Sequence, residues 1–425
     1  MTRDPIAHSL DAAAGSQQVL NAFTHLEDAE NLEPASAGPL AGRPIALKDL
    51  LDQADRVTTA GSAFYRRHAD VSATAVSRLE DAGGTITGRT GLHEFAFGFS
   101  SENPHFGPVR NPWGPNTWPG GASGGGRAAV GAGIVPIAIG TDTGGSVRVP
   151  AALCGCFGLK VTHGAIPTAG VFPLVPSIDT IGPLTGSVDD LEAAYRAMSH
   201  DTTRARLPDR LRFGIPQPWT GNAPMDIHVE NGFRAALDRL EESGHEVHII
   251  DLPDVMPDRN LIFAIAREIQ DVHRDFREAG ETYGEEVGRR LDDIFTVTDE
   301  EMSAGRAWQE MVRSRFDDAF ATVDFLLTPT VPTMRKTIGV DTIEGTHYRK
   351  VLSWFTAIVN HALCPAVAAP LAGTGSPPVS LQVIGPLRSE AALIALTGNL
   401  VDSGVCGFRP AGPLGATGPT SPHGE

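Results

Sequence analysis

The sequence predicts an α/β fold, and three observations carry that expectation. Short apolar runs alternate with stretches of helical spacing, as in GRPIALKDLLD followed by TAVSRLEDAGG and TITGRTG. Such alternation is the pattern of strands and helices layered on one core. The composition, 41% hydrophobic and 20% charged over 425 residues, is that of an ordinary globular chain able to bury a large core. Glycine and proline, 47 and 32 residues, crowd between positions 98 and 185, which marks a loop-rich site carried on the scaffold.

The elements follow in chain order. MTRDPIAHSLDAAAG lacks the apolar run of a signal peptide, and no segment reaches the ~18 apolar residues of a membrane helix. A cytoplasmic location without membrane association is therefore expected. Gly42 to Asp52 reads as a short strand ending at Lys48 and Asp49, and TAVSRLED as a helix stopped by Gly83 and Gly84. A strand through Thr85 to Thr87 comes next, then a small-residue helix in ASGGGRAAVGAG and a buried strand in IVPIAIGTD. Downstream, RLRFGIPQP reads as a strand, HVENGFRAALDRLEESG as an amphipathic helix closing at Gly244, and EVHIID as the next strand. A long charged helical region covers about 260 to 320, followed by the strand DFLLTPT and the pair APLAGT and PPVSLQVIG. No linker divides the chain, so one domain over 1–409 is expected, with a disordered tail at 410–425.

The formal net charge of −17 argues against a broad basic face for nucleic acid or anionic lipid and disfavours polyanionic substrates. Cys154, Cys156, Cys364 and Cys406 read as reduced core thiols rather than a disulfide framework. HEVH, His245 to His248, lacks the two-histidine spacing of a zinc helix, and His68, His93, His105 and His163 are scattered with no carboxylate or cysteine spacing to recruit them. No metal and no organic cofactor are expected.

Two serine-bearing loops remain. Gly121-Ala122-Ser123-Gly124-Gly125 satisfies G-x-S-x-G, but a nucleophile elbow needs a strand directly before the serine, and RNPWGPNTWP with its three prolines cannot be one. A phosphate loop also fails there, because Arg127 and Ala128 stand where Lys and Ser/Thr are required. The second loop, GTDTGGSVRVPA, follows a buried strand, and Thr143-Gly144-Gly145 lead into Ser146. Successive amides could there converge beside a hydroxyl, the geometry of an oxyanion hole, although a plain Gly-Gly turn is the competing reading. Lys48 tips the balance. A lysine ending an apolar strand is poorly placed unless paired or neutral, and a desolvated lysine can act as a general base.

In order and spacing, GRPIALKDLL, FGFSSENPHFGPVRNPW, PGGASGGG, GTDTGGSVRVPAALCGCFGLK, IGPLTGSV and LLTPTVPT resemble the amidase signature family, from about residue 15 to 405. The resemblance implies a single α/β/α domain around a large mixed twisted β-sheet, and hydrolysis of amides through a Ser-Ser-Lys triad and an acyl-enzyme. By position, Ser146 matches the nucleophile and Lys48 the base. Thr143, Gly144, Gly145 and Ser146 match the oxyanion-hole backbone, and Asp142 and Arg148 match residues that hold the loop. The family's bridging serine, which follows a cis peptide bond and relays the proton, falls on Ala122. Gly126 replaces a further serine, and Ser123 matches the second serine of the pattern and is an alternative relay.

Three explanations of Ala122 stand at this point: an engineered inactivating substitution, a natural variant relaying through water or Ser123, and a member that binds without turnover. The expectation is a hydrolase of a small neutral amide or related acyl-nitrogen bond, with a small-molecule substrate, no nucleic-acid partner and a homodimer as candidate assembly. Two rivals stay open. One is an amidotransferase A-type subunit that works on charged tRNA, since YGEEVGRRL, Tyr283 to Leu291, is similar to that branch. The other is a non-catalytic ligand-binding member.

Overall fold

The apolar runs pair into one 11-stranded sheet in the computed structural model, which describes residues 4–411 apart from 115, 118, 119, 335 and 336. Its strands in chain order are β1 (Phe23–Leu26), β2 (Pro44–Lys48), β3 (Thr85–Thr90), β4 (Ile137–Asp142), β5 (Phe157–Lys160), β6 (Thr180–Thr185), β7 (Arg212–Gln217), β8 (Glu246–Asp251), β9 (Phe325–Pro329), β10 (Ala366–Pro370) and β11 (Ser380–Ile384). Across the sheet they run β1-β3-β2-β4-β6-β5-β10-β11-β9-β7-β8. The sheet is mixed. β3, β2 and β4 are parallel, as are β9, β7 and β8, and the strands between alternate in direction. Parallel neighbours need a crossover, which the helices Thr74–Asp81 and Ile227–Glu242 supply between β2 and β3 and between β7 and β8.

Period-two alternation gives the sheet two different faces. Ile45, Leu47, Ile137, Ile139, Ile181 and Val383 point into one core, covered by the helices Thr74–Asp81, Val188–Ser199, Ile227–Glu242 and Glu390–Asp402. The opposite face carries Ala46, Ala138 and Ala368, whose small side chains let the helices Gly124–Gly131 and Arg148–Cys154 lie close to the strands. That approach requires glycine: a Cβ on Gly125 would lie 2.2 Å from Ala22 O. Further along this face Trp308, Val312 and Phe316 of the helix Asp299–Phe320 pack on Leu326 and Ile384.

Several readings change. The charged region from 260 to 320 is four helices, Asn260–Phe263, Ala266–Glu278, Glu285–Phe295 and Asp299–Phe320, because Gly280 at φ +74° reverses the chain and a Thr298/Glu301 capping box restarts it. β10 lies earlier than APLAGT, most of which is the turn after it. Of the tail expected at 410–425, Ala411 is buried and its N–H donates to Gly131 O at 2.8 Å; positions 412–425 lie outside the described residues. All four cysteines are buried. Among the described residues no helix is long and apolar enough to cross a membrane.

Candidate active site

Lys48 and Asp142 end the adjacent parallel strands β2 and β4, so the site lies where carboxyl ends of an α/β sheet open. Lys48 is fully buried, and its Nζ donates to Thr141 Oγ1 at 2.8 Å. The neighbouring Asp49 gives it no counter-charge, because that carboxylate accepts from Arg89 Nε at 2.9 Å and from Thr59. Burial is the main reason the ammonium form is disfavoured, and the Arg127 charge adds to it. Asp179 and Asp142 oppose the shift without reversing it. The pKa therefore falls well below the usual lysine value, a shift toward the neutral amine.

The loop after β4 is held from beneath by Asp142. Its carboxylate accepts from Gly145 N at 2.9 Å, Val147 N at 3.0 Å, Arg148 Nη2 at 2.9 Å and Asn360 Nδ2 at 2.8 Å. Burial alone would raise this carboxyl, but the Arg148 charge and these bonds win and hold it far below the ordinary carboxylate range. Arg148 reaches on to Gln382 Oε1 at 2.8 Å and Asn360 Oδ1 at 2.6 Å. Gly145 sits at φ +124°, where an added Cβ would lie 2.2 Å from Thr356 Oγ1. Of the four amides expected to form an oxyanion hole, that of Gly145 thus donates to Asp142 Oδ1 instead of standing free.

Ser146 Oγ accepts from Ala122 N at 3.3 Å, and the Ser146 carbonyl accepts from Arg127 Nη2. The glycine-rich loop is brought there by Ser101, whose Oγ donates to Gly121 O at 2.7 Å and accepts from Gly124 N at 3.0 Å. Gly120 and Gly121, at φ +73° and +62°, turn the chain into Ala122. The cis bond implied by the resemblance is absent here: the cis bonds among the described residues are Gln217–Pro218 and Ser376–Pro377, and the two left-handed glycines make the reversal instead. The described residues directly before Ser123 are not a strand; it stands at the start of the helix Gly124–Gly131 and donates to Thr141 O at 3.4 Å. Lys48 bonds neither Ser123 nor Ser146 directly.

Ser146 opens into a cavity of about 200 Å³. Thr143 and Gly144 line it beside Ser146, Phe97, Phe99, Leu174, Ile262 and Ile265 make apolar walls, and Asp258, Lys350 and the arginines Arg290 and Arg349 bring charge of both signs to it. Sequence reasoning missed these arginines, and also Thr141 and Asp179; the latter accepts from Thr143 Oγ1 at 2.5 Å. The histidines expected to lack carboxylates gain them through the fold. His105 Nε2 lies 2.9 Å from Glu94, and His93 Nε2 lies 3.7 Å from Glu286. Burial lowers His93 to about 4, so it is neutral. His248 pairs with Glu246 at the surface, and no group of three or more His, Cys, Asp or Glu among the described residues could hold a metal ion.

A model of the Amidase family matches residues 5–394. The chain belongs to the amidase family. The A-type subunit of glutamyl-tRNA(Gln) amidotransferase from Chromohalobacter salexigens is 33% identical to this amidase, the match covering 91% of this chain and 89% of the relative. The AtzE subunit of 1-carboxybiuret hydrolase from Pseudomonas sp. strain ADP is 32% identical, with 96% of each covered. Among solved structures, an amidase aligns with a TM-score of 0.85 at 29% identity over 94% of this chain and 96% of that one. The A-type subunit of the Thermotoga maritima amidotransferase aligns with a TM-score of 0.79 at 29% identity, over 93% and 90%. The large mixed sheet between helices is thus the amidase fold expected from the sequence.

Proposed function

We propose that this amidase cleaves the C–N bond of a small amide through an acyl-enzyme on Ser146, with neutral Lys48 as the base. The observation that carries the reading is Lys48 itself: a buried amine with no ion pair among the described residues, ending the strand beside the nucleophile loop. The Ala122 amide donates to Ser146 Oγ, so the hydroxyl proton of Ser146 is directed elsewhere. Lys48 takes that proton through an intervening group, Oγ bonds to the carbonyl carbon, and the Thr143, Gly144 and Ser146 amides receive the oxyanion. Collapse breaks the C–N bond as the ammonium of Lys48 protonates the leaving nitrogen, and water then hydrolyses the ester. With alanine at 122, the intervening group is a water or the Ser123 hydroxyl.

A second reading, an amidotransferase A-type subunit, is favoured by the relatives, several of which are that component of glutamyl-tRNA(Gln) amidotransferase. Both readings share amide cleavage at Ser146 and differ in where the nitrogen goes. Ammonia release from a panel of primary amides, ureido compounds and glutamine, measured on the chain alone and with tRNA added, separates them. Release unaffected by tRNA supports the hydrolase, and release that appears only with tRNA and partner subunits supports the transferase. A fluorophosphonate adduct mapped to Ser123, with Ser146 untouched, would remove the nucleophile assignment from both.

A further inference from the structure

Another cavity, of about 340 Å³, opens at the β1 edge of the sheet and shares no lining residue with the one at Ser146. Arg56, Arg66 and Arg89 bring three guanidinium groups to it, and Asp49 and Asp55 bring two carboxylates. Arg56 is answered by Glu27, whose oxygens lie 2.8 Å from Nε and 2.7 Å from Nη2. Arg89, buried on β3, donates from Nε to Asp49 Oδ1 at 2.9 Å and from Nη2 to Leu51 O at 2.7 Å and Thr58 Oγ1 at 3.1 Å. Its Nη1 is buried with no acceptor among the described residues. Arg66 stands just before the short strand Arg67–Ala69, its guanidinium carbon 5.9 Å from the centroid of the Phe106 ring, and among the described residues no carboxylate lies within ion-pair distance of it.

A buried N–H without an acceptor costs the fold stability that a ligand can restore, and an unpaired guanidinium at the rim supplies the charge that draws an anion in. The donors belong to two elements, β3 and the segment before Arg67–Ala69, so a ligand with oxygens in several directions suits them better than a flat one. We propose that this cavity binds a small tetrahedral oxyanion of the phosphate class, free or as the end of a phosphate ester, between Arg66 and Arg89. Asp49 opposes it little, because its carboxylate already accepts from Arg89 Nε, from Thr59 N at 3.1 Å and from Thr59 Oγ1 at 2.5 Å. Asp55, exposed and outside any ion pair among the described residues, is the group that works against it. The net charge of −17 does not decide the matter, because the field inside a cleft is set by the groups lining it. None of these groups takes part in amide cleavage, so the site stands or falls apart from the reading of Ser146.

Calorimetric titration of the full chain with inorganic phosphate, at constant ionic strength, tests this without turnover. The expected result is saturable binding at one site, weakened about fivefold or more in Arg66→Gln, the scale of one charge-assisted hydrogen bond at a partly exposed group. Asp55→Asn should tighten it by about twofold or more, since a carboxylate beside the anion is removed. Arg67→Gln removes an exposed guanidinium already paired with Asp52 at 3.2 Å and should leave binding within about twofold. All three residues are exposed, so the variants leave the buried Arg89–Asp49 pair in place. Glycerol phosphate, titrated alongside, tells an ester from the free ion by which binds more tightly. Binding that never saturates in the parent overturns the proposal, as does binding that Asp55→Asn loosens or that Arg67→Gln weakens as much as Arg66→Gln. Binding unchanged in Arg66→Gln overturns it too, and is the result expected if phosphate settles instead beside Arg290 and Arg349 in the Ser146 cavity.

Discussion

At residue 122 the missing hydroxyl leaves a buried methyl whose own amide touches Ser146 Oγ at 3.3 Å. A hydroxyl added to that Cβ stays within reach of Ser146, so Ala122→Ser is expected to raise turnover of a good amide by about 10²–10⁴-fold if it restores a positioned relay. Steady-state ammonia release measures it. A gain below about tenfold, in a parent already active, assigns the relay to water or to Ser123, and Ser123→Ala tells those two apart. Lys48→Met should keep the fold and abolish hydrolysis; retained activity would rule out Lys48 as base. These residues were legible because each announces itself locally: a lysine on an apolar strand, a serine after two glycines. Thr141, Asp179 and Arg290 were not. They reach the site from 93 positions away in the case of Thr141, through strand pairing that no local pattern records.

The helix Gly124–Gly131 shows how an element carries charge into the site. Arg127 is fully buried on it, donates to the Ser146 carbonyl, and leaves Nε and Nη1 without partners among the described residues. Its charge is the second cause of the low Lys48 pKa. Arg127→Met removes a positive neighbour, so the Lys48 pKa rises and the neutral base forms at higher pH. The acid limb of the kcat/KM profile should therefore move toward alkaline pH, while urea stability holds or improves because a poorly satisfied buried charge is gone. An unmoved limb would separate Arg127 from the base. In the sequence this residue served only to dismiss a phosphate loop, since an arginine among small residues gives no sign of its burial. Other element signals were present and passed over: Thr298 and Glu301 have the spacing of a capping box, which divides the 260–320 region where helical periodicity alone ran through.

Across the whole molecule, the two halves of the sheet meet where β5 pairs with β10, Lys160 opposite Ala366. The sequence identified the α/β class and most strands from their apolar runs, and the family resemblance implied a large mixed sheet, but the strand order depends on crossovers and long-range partners that no local pattern records. Lys160 is fully buried at this seam, with its Nζ donating to Val161 O at 2.9 Å and Cys364 O at 2.8 Å. Burial above all, with the Arg148 charge, lowers it to about 7. An unfolded lysine holds its proton to about 10.4, so between pH 7 and that value the unfolded chain binds more protons and stability rises with pH. Lys48, also lowered, contributes in the same direction. The buried histidines His93 and His273, lowered to about 4, act below this range, and the buried thiols, raised to about 12 at Cys156, Cys364 and Cys406, oppose it only as unfolded cysteines ionise near pH 8.5 and above. Urea midpoints should accordingly climb from pH 7 to 8.5 at constant m, and Lys160→Met should remove about one proton from that slope. An identical slope in parent and variant would mean that Lys160 keeps its charge in the folded seam, with its two carbonyl partners sufficing to hold an ammonium there.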